Sequence, residues 1–224
     1  MFYTHELEAL GVREPGAALT HGIAMGASVV VLVAMIVRAF SVGTAWHIVG
    51  VAIFGLALVT TYAISMSYHI VSYAAARGKR VMQRLDRSLI YVLIAGTYTP
   101  ICITVLRGPW GWSLLGAVWF LSILGFIINI TGIVLPRWLP PILYIALGWM
   151  AVIAIVPLYH VFGWYGLGWL VGGGLAYTIG VIFFAIDHLV PRTKWWGMHE
   201  LFHLFVVLGS ALHTILIWKY VLTS

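Results

Sequence analysis

The chain has 224 residues, of which 62% are hydrophobic and only 8% are charged. Soluble domains carry about 25% charged residues, so this composition excludes an ordinary soluble fold and indicates an integral membrane protein. The formal net charge of +6 does not indicate nucleic-acid binding, because the basic residues cluster between apolar runs instead of following a soluble face. Between apolar runs, positive charge sets the orientation of a membrane protein.

The N-terminal segment, residues 1–18, is predicted to be cytoplasmic and to remain uncleaved. It carries three glutamates and Arg13, and it lacks the basic-then-apolar pattern with a small-residue cleavage site that marks a signal peptide. Pro15 is predicted to occupy the first turn of the first helix, where a proline is favourable. The single cysteine, Cys102, lies in an apolar run, which excludes an intrachain disulfide and a cysteine-type metal site.

Seven apolar runs follow, and each is long enough to cross a bilayer as an α-helix of about 20 residues. Short turn-forming or charged pieces separate them, among them Gly163 and the basic segment Arg77 to Arg84, which we interpret as a loop. Because these connections are short, residues 19–224 are predicted to form one all-α domain of seven transmembrane helices. The runs cover about 20–40, 45–70, 86–106, 112–134, 138–160, 164–187 and 198–221.

The distribution of Lys and Arg predicts the orientation of this bundle. Nine basic residues lie on the side of the N-terminus and three on the other side. Cytoplasmic loops carry the excess of positive charge, so the N-terminus is predicted inside and, after seven spans, the C-terminus outside. The nine are Arg13, Arg77, Lys79, Arg80, Arg84, Arg87, Arg137, Arg192 and Lys194, and the three are Arg38, Arg107 and Lys219.

The last run begins with His199 and His203, whose spacing of four places two imidazoles on one helical face, one turn apart. Such a pair suits a metal ion, and ionisable groups within membrane helices are rare and usually functional. The second run ends at His69 and the third begins at Asp86. With the predicted orientation, all four side chains lie at one depth, in the inner leaflet.

Ser65 lies four residues before His69, on the same face of the second helix. Three neutral imidazoles and a water would form a tetrahedral zinc site with one exchangeable position. Zinc would lower the pKa of that water toward about 7, and Asp86 could act as the general base. Ser65 could polarise a substrate carbonyl or hold the water. Alternatively, Asp86 and Ser65 could be outer-shell groups that only orient the ligands.

The segment 199–203 also matches the HExxH motif of zinc proteases, in which Glu200 would be the general base. No suitable third ligand follows, because His213 lies ten residues after His203, roughly 15 Å further along the helix. We therefore interpret Glu200 as a solvated or helix-capping carboxylate. His213 is predicted to be a hydrogen-bonded packing residue.

His21 and Glu14 are seven residues apart, so the two side chains could share one face of the first helix. Two interpretations remain open for His21. It either pairs with Glu14 or makes a polar contact to the site, or it is an ordinary interfacial residue.

Three segments, residues 65–69, 85–100 and 199–213, resemble the signature segments of the bacterial hemolysin III family. This family is the bacterial branch of the progesterone and adipoQ receptor superfamily. The resemblance covers residues 14–221 and implies seven helices with the N-terminus inside, and a site lined by Ser65 and Asp86. It also implies a zinc ion held by His69, His199 and His203.

The wider superfamily is similar to the alkaline ceramidases, which cleave a lipid amide with a related Ser-Asp-His zinc centre. The resemblance and the depth of the site favour a zinc-dependent hydrolase of an amide or ester in a membrane lipid or acyl substrate. The expected location is the plasma or inner membrane, and the expected partners are membrane lipids.

Two other functions stay open. The first is a receptor-like sensor of lipid state with a structural zinc. The second is a membrane-active, pore-forming protein, as the family name claims, although no helix shows a continuous polar stripe. Neither the substrate nor the oligomeric state follows from the sequence.

Overall fold

A computed structural model describes residues 14–70, 76–136, 138–191, 193 and 196–223. All regular elements of this part of the chain are helical, and it contains no strand. Short helical pieces of other types, Trp149–Ala154, Asp187–Leu189 and Ile217–Val221, adjoin the α-helices. The α-helices are α1 (Pro15–Val42), α2 (Ala45–Ile70), α3 (Ala76–Ile103), α4 (Pro109–Thr131), α5 (Leu139–Gly148), α6 (Ile155–Ile186) and α7 (Met198–Leu216).

Five helical stretches of the described chain are long and apolar enough to cross a membrane. Their outward surfaces carry large hydrophobic side chains such as Val30, Phe40 and Phe120, each about two-thirds exposed. Lipid is the environment in which so much exposed apolar surface is stable, so the chain is a multi-pass membrane protein. The five are Pro15–Val42, Ala45–Ile70, Pro109–Thr131, Leu139–Leu189 and Met198–Val221.

The basic segment Arg77 to Arg84 is helical, so the prediction of a loop there was wrong. α3 begins at Ala76 and includes this segment. Lys, Arg, Gln, Met and Leu are good helix formers. The side chains of Arg80 and Arg84 are exposed, whereas Lys79 is buried and donates to the carbonyl of Tyr68. The charged first turns leave only residues 88–103, 16 positions, as the apolar part of α3. That part is shorter than a typical span of about 20 residues.

The long stretch Leu139–Leu189 departs from α-helical geometry at two places. The piece Trp149–Ala154 is a 3₁₀-helix, and Gly163 within α6 has φ 59° and ψ −171°. This region of φ/ψ space is essentially confined to glycine, since a Cβ would clash with the backbone. The predicted boundary between the fifth and sixth apolar runs falls at this glycine.

Consecutive helices pack side by side through α4, α6 packs along α7, and α7 returns to contact α1. The interior is apolar and includes the fully buried side chains of Phe54, Leu158 and Leu216. The first and last helices are therefore neighbours, and each contributes its N-terminal turns to the same end of the bundle. α1 begins at Pro15, as predicted, so residues 15–18 of the predicted terminal segment are helical, while residues 1–13 lie outside the described chain.

Candidate metal centre

Three histidines meet at one end of the bundle. His69 comes from the last turn of α2, and His199 and His203 come from the first two turns of α7. One ring nitrogen of each lies within 4.8 Å of those of the other two. The Nε2 atoms of His69 and His199 are 3.5 Å apart. The sequence-predicted proximity of the three imidazoles is thus present, and we call this end of the molecule the histidine end.

Glu14, directly before α1, holds the ring of His69. Its Oε2 lies 2.6 Å from His69 Nδ1. A carboxylate only accepts hydrogen bonds, so Nδ1 carries the proton and Nε2 keeps its lone pair toward His199. A carboxylate that orients a histidine in this way is the usual outer-shell partner of a metal ligand. The predicted alternative in which Glu14 pairs with His21 was wrong, because Glu14 reaches across to α2 instead.

One of the spacings between these nitrogens is close to that expected around a metal ion such as zinc. Two nitrogens bound tetrahedrally at about 2.0–2.1 Å from one zinc lie about 3.3–3.4 Å from each other. The observed 3.5 Å between His69 Nε2 and His199 Nε2 is close to that value. His69 and His203 are almost completely buried. A buried group of three imidazoles with one ring already oriented could therefore hold a metal ion.

Ser65 and Asp86 lie near His69 and His199. Ser65 is buried one turn before His69 on α2, and Asp86 is half-buried near the start of α3. The Asp86 carboxylate accepts a hydrogen bond from the Ser65 hydroxyl and lies close enough to His69 and His199 for electrostatic interaction. All five residues that the sequence suggested for the site are thus brought to the histidine end.

His21 of α1 also belongs to this group. Its ring stacks on the ring of His203, with centroids 3.7 Å apart and planes inclined by 11°. The edge of Tyr62 packs against it, with centroids 5.0 Å apart. The interfacial interpretation was wrong because His21 is buried, and His21 contacts the site by ring stacking instead of by the predicted polar contact.

Glu200 is fully buried, so the solvated alternative predicted for it was wrong. It lies in the first turn of α7, where the positive end of the helix dipole favours a negative charge. Asp187 also stabilises the start of α7, because its Oδ1 accepts a hydrogen bond of 3.0 Å from the His199 backbone N–H. Sequence reasoning missed Asp187 because it lies twelve residues before the helix position it supports.

His213, further along α7, has the packing role that was predicted. Its Nε2 lies 3.1 Å from the carbonyl oxygen of Leu170. Its ring rests on Gly173, where a Cβ would come within 2.3 Å of the imidazole. Nearby, Ser210 links α2, α6 and α7, because Tyr62 donates to its hydroxyl at 2.7 Å and Tyr177 lies 2.8 Å from it.

The fold and the site together define a multi-pass, all-helical protein of the cell membrane with a buried three-histidine group. The family model described as "Haemolysin-III related" matches residues 11–214. The chain is 36% identical to "Hemolysin-3" of Bacillus cereus over 212 residues, which cover 95% of this chain and 93% of the relative.

Two further relatives support this placement. "Hemolysin-3 homolog" of Bacillus subtilis (strain 168) is 37% identical over 199 residues, covering 89% of this chain and 90% of the relative. The human "Monocyte to macrophage differentiation factor" is 28% identical over 182 residues, covering 80% and 73%. The chain belongs to the haemolysin III family, and the resemblance of its motifs to the progesterone and adipoQ receptor superfamily is confirmed.

Proposed function

We propose that this chain is a zinc protein whose metal centre hydrolyses an amide or ester bond of a membrane lipid or acyl substrate. The observation that supports this proposal most is the hydrogen bond between the Asp86 carboxylate and the Ser65 hydroxyl, which lies close enough to His69 and His199 for electrostatic interaction. A site that only stores a metal needs the imidazoles and their orienting carboxylate. A second carboxylate and a hydroxyl beside them are the groups that proton transfer and carbonyl binding require.

In this proposal each side chain has a separate role. His69, His199 and His203 hold the ion, and Glu14 fixes the ring of His69. When bound, zinc supplies Lewis-acid polarisation of a carbonyl and activation of water at neutral pH. Asp86 accepts and returns the proton of the attacking group. Ser65 donates a hydrogen bond to the substrate carbonyl, or holds the Asp86 carboxylate in position.

The proposal places the chain in the membrane with seven spans, a cytoplasmic N-terminus and an external C-terminus. Gly163 divides the 51-residue stretch Leu139–Leu189 into two parts that are each long enough to span. α3 supplies the remaining crossing, with its charged turns at the inner interface. The nine-to-three distribution of basic residues supports this orientation, although Arg13, Arg137, Arg192 and Lys194 lie outside the described residues.

Cysteine labelling tests the topology directly. In a Cys102→Ser background, a membrane-impermeant thiol reagent added to intact cells should label Ser224→Cys and not Gly78→Cys. Gly78 is exposed at the start of α3, whereas Ser224 lies outside the described residues. Permeabilised cells provide the control, since both positions should then react. Labelling of Gly78→Cys alone in intact cells would contradict the orientation.

Two other functions keep some support. Burial of His69 and His203 suits a structural zinc in a receptor-like sensor of lipid state. The name "Hemolysin-3" of the Bacillus cereus relative suits a membrane-active protein. Conductance across vesicles that contain the pure protein would support the membrane-active function. A tightly held metal without any turnover would support the sensor.

The deciding experiment combines metal analysis with analysis of lipid products. Purified wild-type protein and the Asp86→Asn variant are incubated with a panel of acyl-amide and acyl-ester lipids. We expect metal-dependent products from wild type and far fewer from Asp86→Asn at equal zinc content. Thr97→Val is the matched control, because Thr97 is a buried residue of α3 that bonds only to Leu93 of its own helix. No wild-type product across the panel would reject the hydrolase.

A further inference from the structure

His21 is a buried imidazole whose hydrogen-bonding groups are unused. It is 4% exposed, and neither Nδ1 nor Nε2 has a hydrogen-bond partner within the described residues. The hydroxyl of the adjacent Tyr62 donates to Ser210 and forms no hydrogen bond with either nitrogen of His21. Buried polar atoms in native proteins nearly always find a partner, so an imidazole with two unused nitrogens points to a ligand.

The geometry excludes His21 as a fourth ligand of the same metal ion in this arrangement. Imidazole lone pairs lie in the plane of the ring, and a metal bound by His203 lies in the plane of His203. The two rings are stacked 3.7 Å apart and nearly parallel. A metal in the His203 plane therefore lies well outside the plane of His21, where His21 has no lone pair to offer.

A group bound beside the metal can lie in the plane of His21. A neutral imidazole carries one N–H donor and one acceptor nitrogen, so it can satisfy an oxygen atom that approaches within its plane. Neither nitrogen of His21 is fixed by the protein, in contrast to Nδ1 of His69, which Glu14 holds. His21 is thus free to adopt the tautomer that a ligand requires.

We propose that His21 donates a hydrogen bond to the carbonyl or carboxylate oxygen of a ligand held at the three-histidine cluster. This assignment rests on the proposed metal site. It makes His21 a ligand-contacting residue that selects for an oxygen acceptor, and not only a packing surface for His203. The ligand class is an acyl compound whose carbonyl or carboxylate enters next to α1.

Cobalt-substituted protein offers a test that does not depend on turnover. Acetohydroxamate, which carries a carbonyl oxygen, is titrated into the cobalt protein, and its affinity is read from the visible spectrum. His21→Phe keeps an aromatic ring to stack on His203 but has no hydrogen-bonding group. His21→Gln and His21→Asn restore an N–H donor at two different distances from the backbone. Ser28→Ala is the control, since Ser28 is buried on the same helix and bonds only to Ala24.

We expect His21→Phe to retain cobalt and to bind acetohydroxamate about tenfold more weakly, as the loss of one buried hydrogen bond predicts. At least one of the two amide variants should recover part of that loss, and Ser28→Ala should match wild type. Unchanged affinity in His21→Phe would overturn the assignment, and so would equal weakening in all three His21 variants. A wild-type protein that takes up no cobalt would instead reject the metal site itself.

Discussion

α7 carries histidines in two contrasting environments. At the histidine end, His203 lies among His69, His199 and His21, and one ring nitrogen of His203 lies within 4.8 Å of a ring nitrogen of His69 and of His199. Ten residues later, His213 sits against the carbonyl of Leu170. The same residue type on one helix thus has a site-forming and a structural role. The residues that other helices place beside each histidine determine which role it has, because both histidines lie on the same helix.

Tyr98 shows how polar groups are used away from the histidine end. Its hydroxyl donates to the carbonyl of Gly148 at 2.6 Å and accepts the N–H of Ala151 at 2.8 Å. These are backbone groups around the 3₁₀ piece Trp149–Ala154, which a regular α-helix would have satisfied internally. Here the polar side chain satisfies backbone hydrogen-bonding groups that lack a partner within the helix. At the histidine end, side-chain nitrogens remain available for an ion or a ligand.

The largest expected effect is on zinc content, which should depend on the histidines of the histidine end and not on His213. We expect about one zinc per chain in wild type and none in the His199→Ala/His203→Ala variant, since two of three ligands are gone. His213→Ala should keep its zinc. Metal analysis of the purified proteins measures this, and full zinc retention in the double variant would refute the metal centre.

Acidification should release the metal from wild type. Imidazole binds a metal only when neutral, and its unperturbed pKa is about 6.5, so protons compete increasingly as the pH falls below that value. Zinc content after dialysis at a series of pH values measures the release. Zinc that stays bound at every pH tested, down to pH 4, would argue against imidazole ligands.

The next effect concerns chemistry at the histidine end. If Asp86 transfers a proton in a hydrolytic reaction, Asp86→Asn should keep zinc and lower the rate by about 10²–10⁴. Ser65→Ala should be milder, because the metal still polarises the carbonyl. Rates per bound zinc measure both. A change in zinc content or stability alone, without any loss of rate, would remove Asp86 from the reaction.

A smaller effect tests the carboxylate behind His69. Glu14→Gln should weaken zinc binding by about 10–100-fold, because the Nδ1–H of His69 loses its charged acceptor. Competition with a zinc chelator measures the affinity. Ser67→Ala is the matched control, since Ser67 lies two residues before His69 and bonds only to Ala63 of its own helix. Equal affinities for Glu14→Gln and wild type would show that the pair is not an outer-shell contact.

The smallest effect lies away from the histidine end. Tyr98→Phe should lower the free energy of unfolding by about 1–2 kcal/mol, because a backbone carbonyl and a backbone N–H near the 3₁₀ piece lose their partner. Zinc content should not change. Thermal unfolding in detergent together with metal analysis measures both quantities. Loss of zinc in this variant would mean that the two environments are coupled.

The positions of the helices were largely predictable because apolar runs of membrane length leave little choice of structure. The second run, residues 45–70, coincides with α2. The start of α3 was not predictable in the same way. A basic segment such as Arg77 to Arg84 suits both a loop and the interfacial turns of a helix, and the charge pattern alone does not distinguish them.

The histidine cluster was also predictable, because spacing and depth bring His69, His199 and His203 together once the helices alternate in direction. The contacts around them were not. Glu14 binds His69 instead of His21, Asp187 supports the start of α7, and Glu200 is buried. These contacts depend on which helices are neighbours and on their rotation about their axes. Local sequence patterns determine neither the neighbours of a helix nor its rotation.

The three histidines come from helices that lie far apart in the sequence, so they are synthesised at different times. Glu14 and His69 are made early, whereas His199 follows His69 by 130 residues. At a translation rate of about 5–20 residues per second, roughly 7 to 26 s separate the emergence of His69 from that of His199. During that interval the nascent chain has one imidazole of the three. A metal ion that needs all three imidazoles can therefore bind only after the helix that carries His199 and His203 has been made.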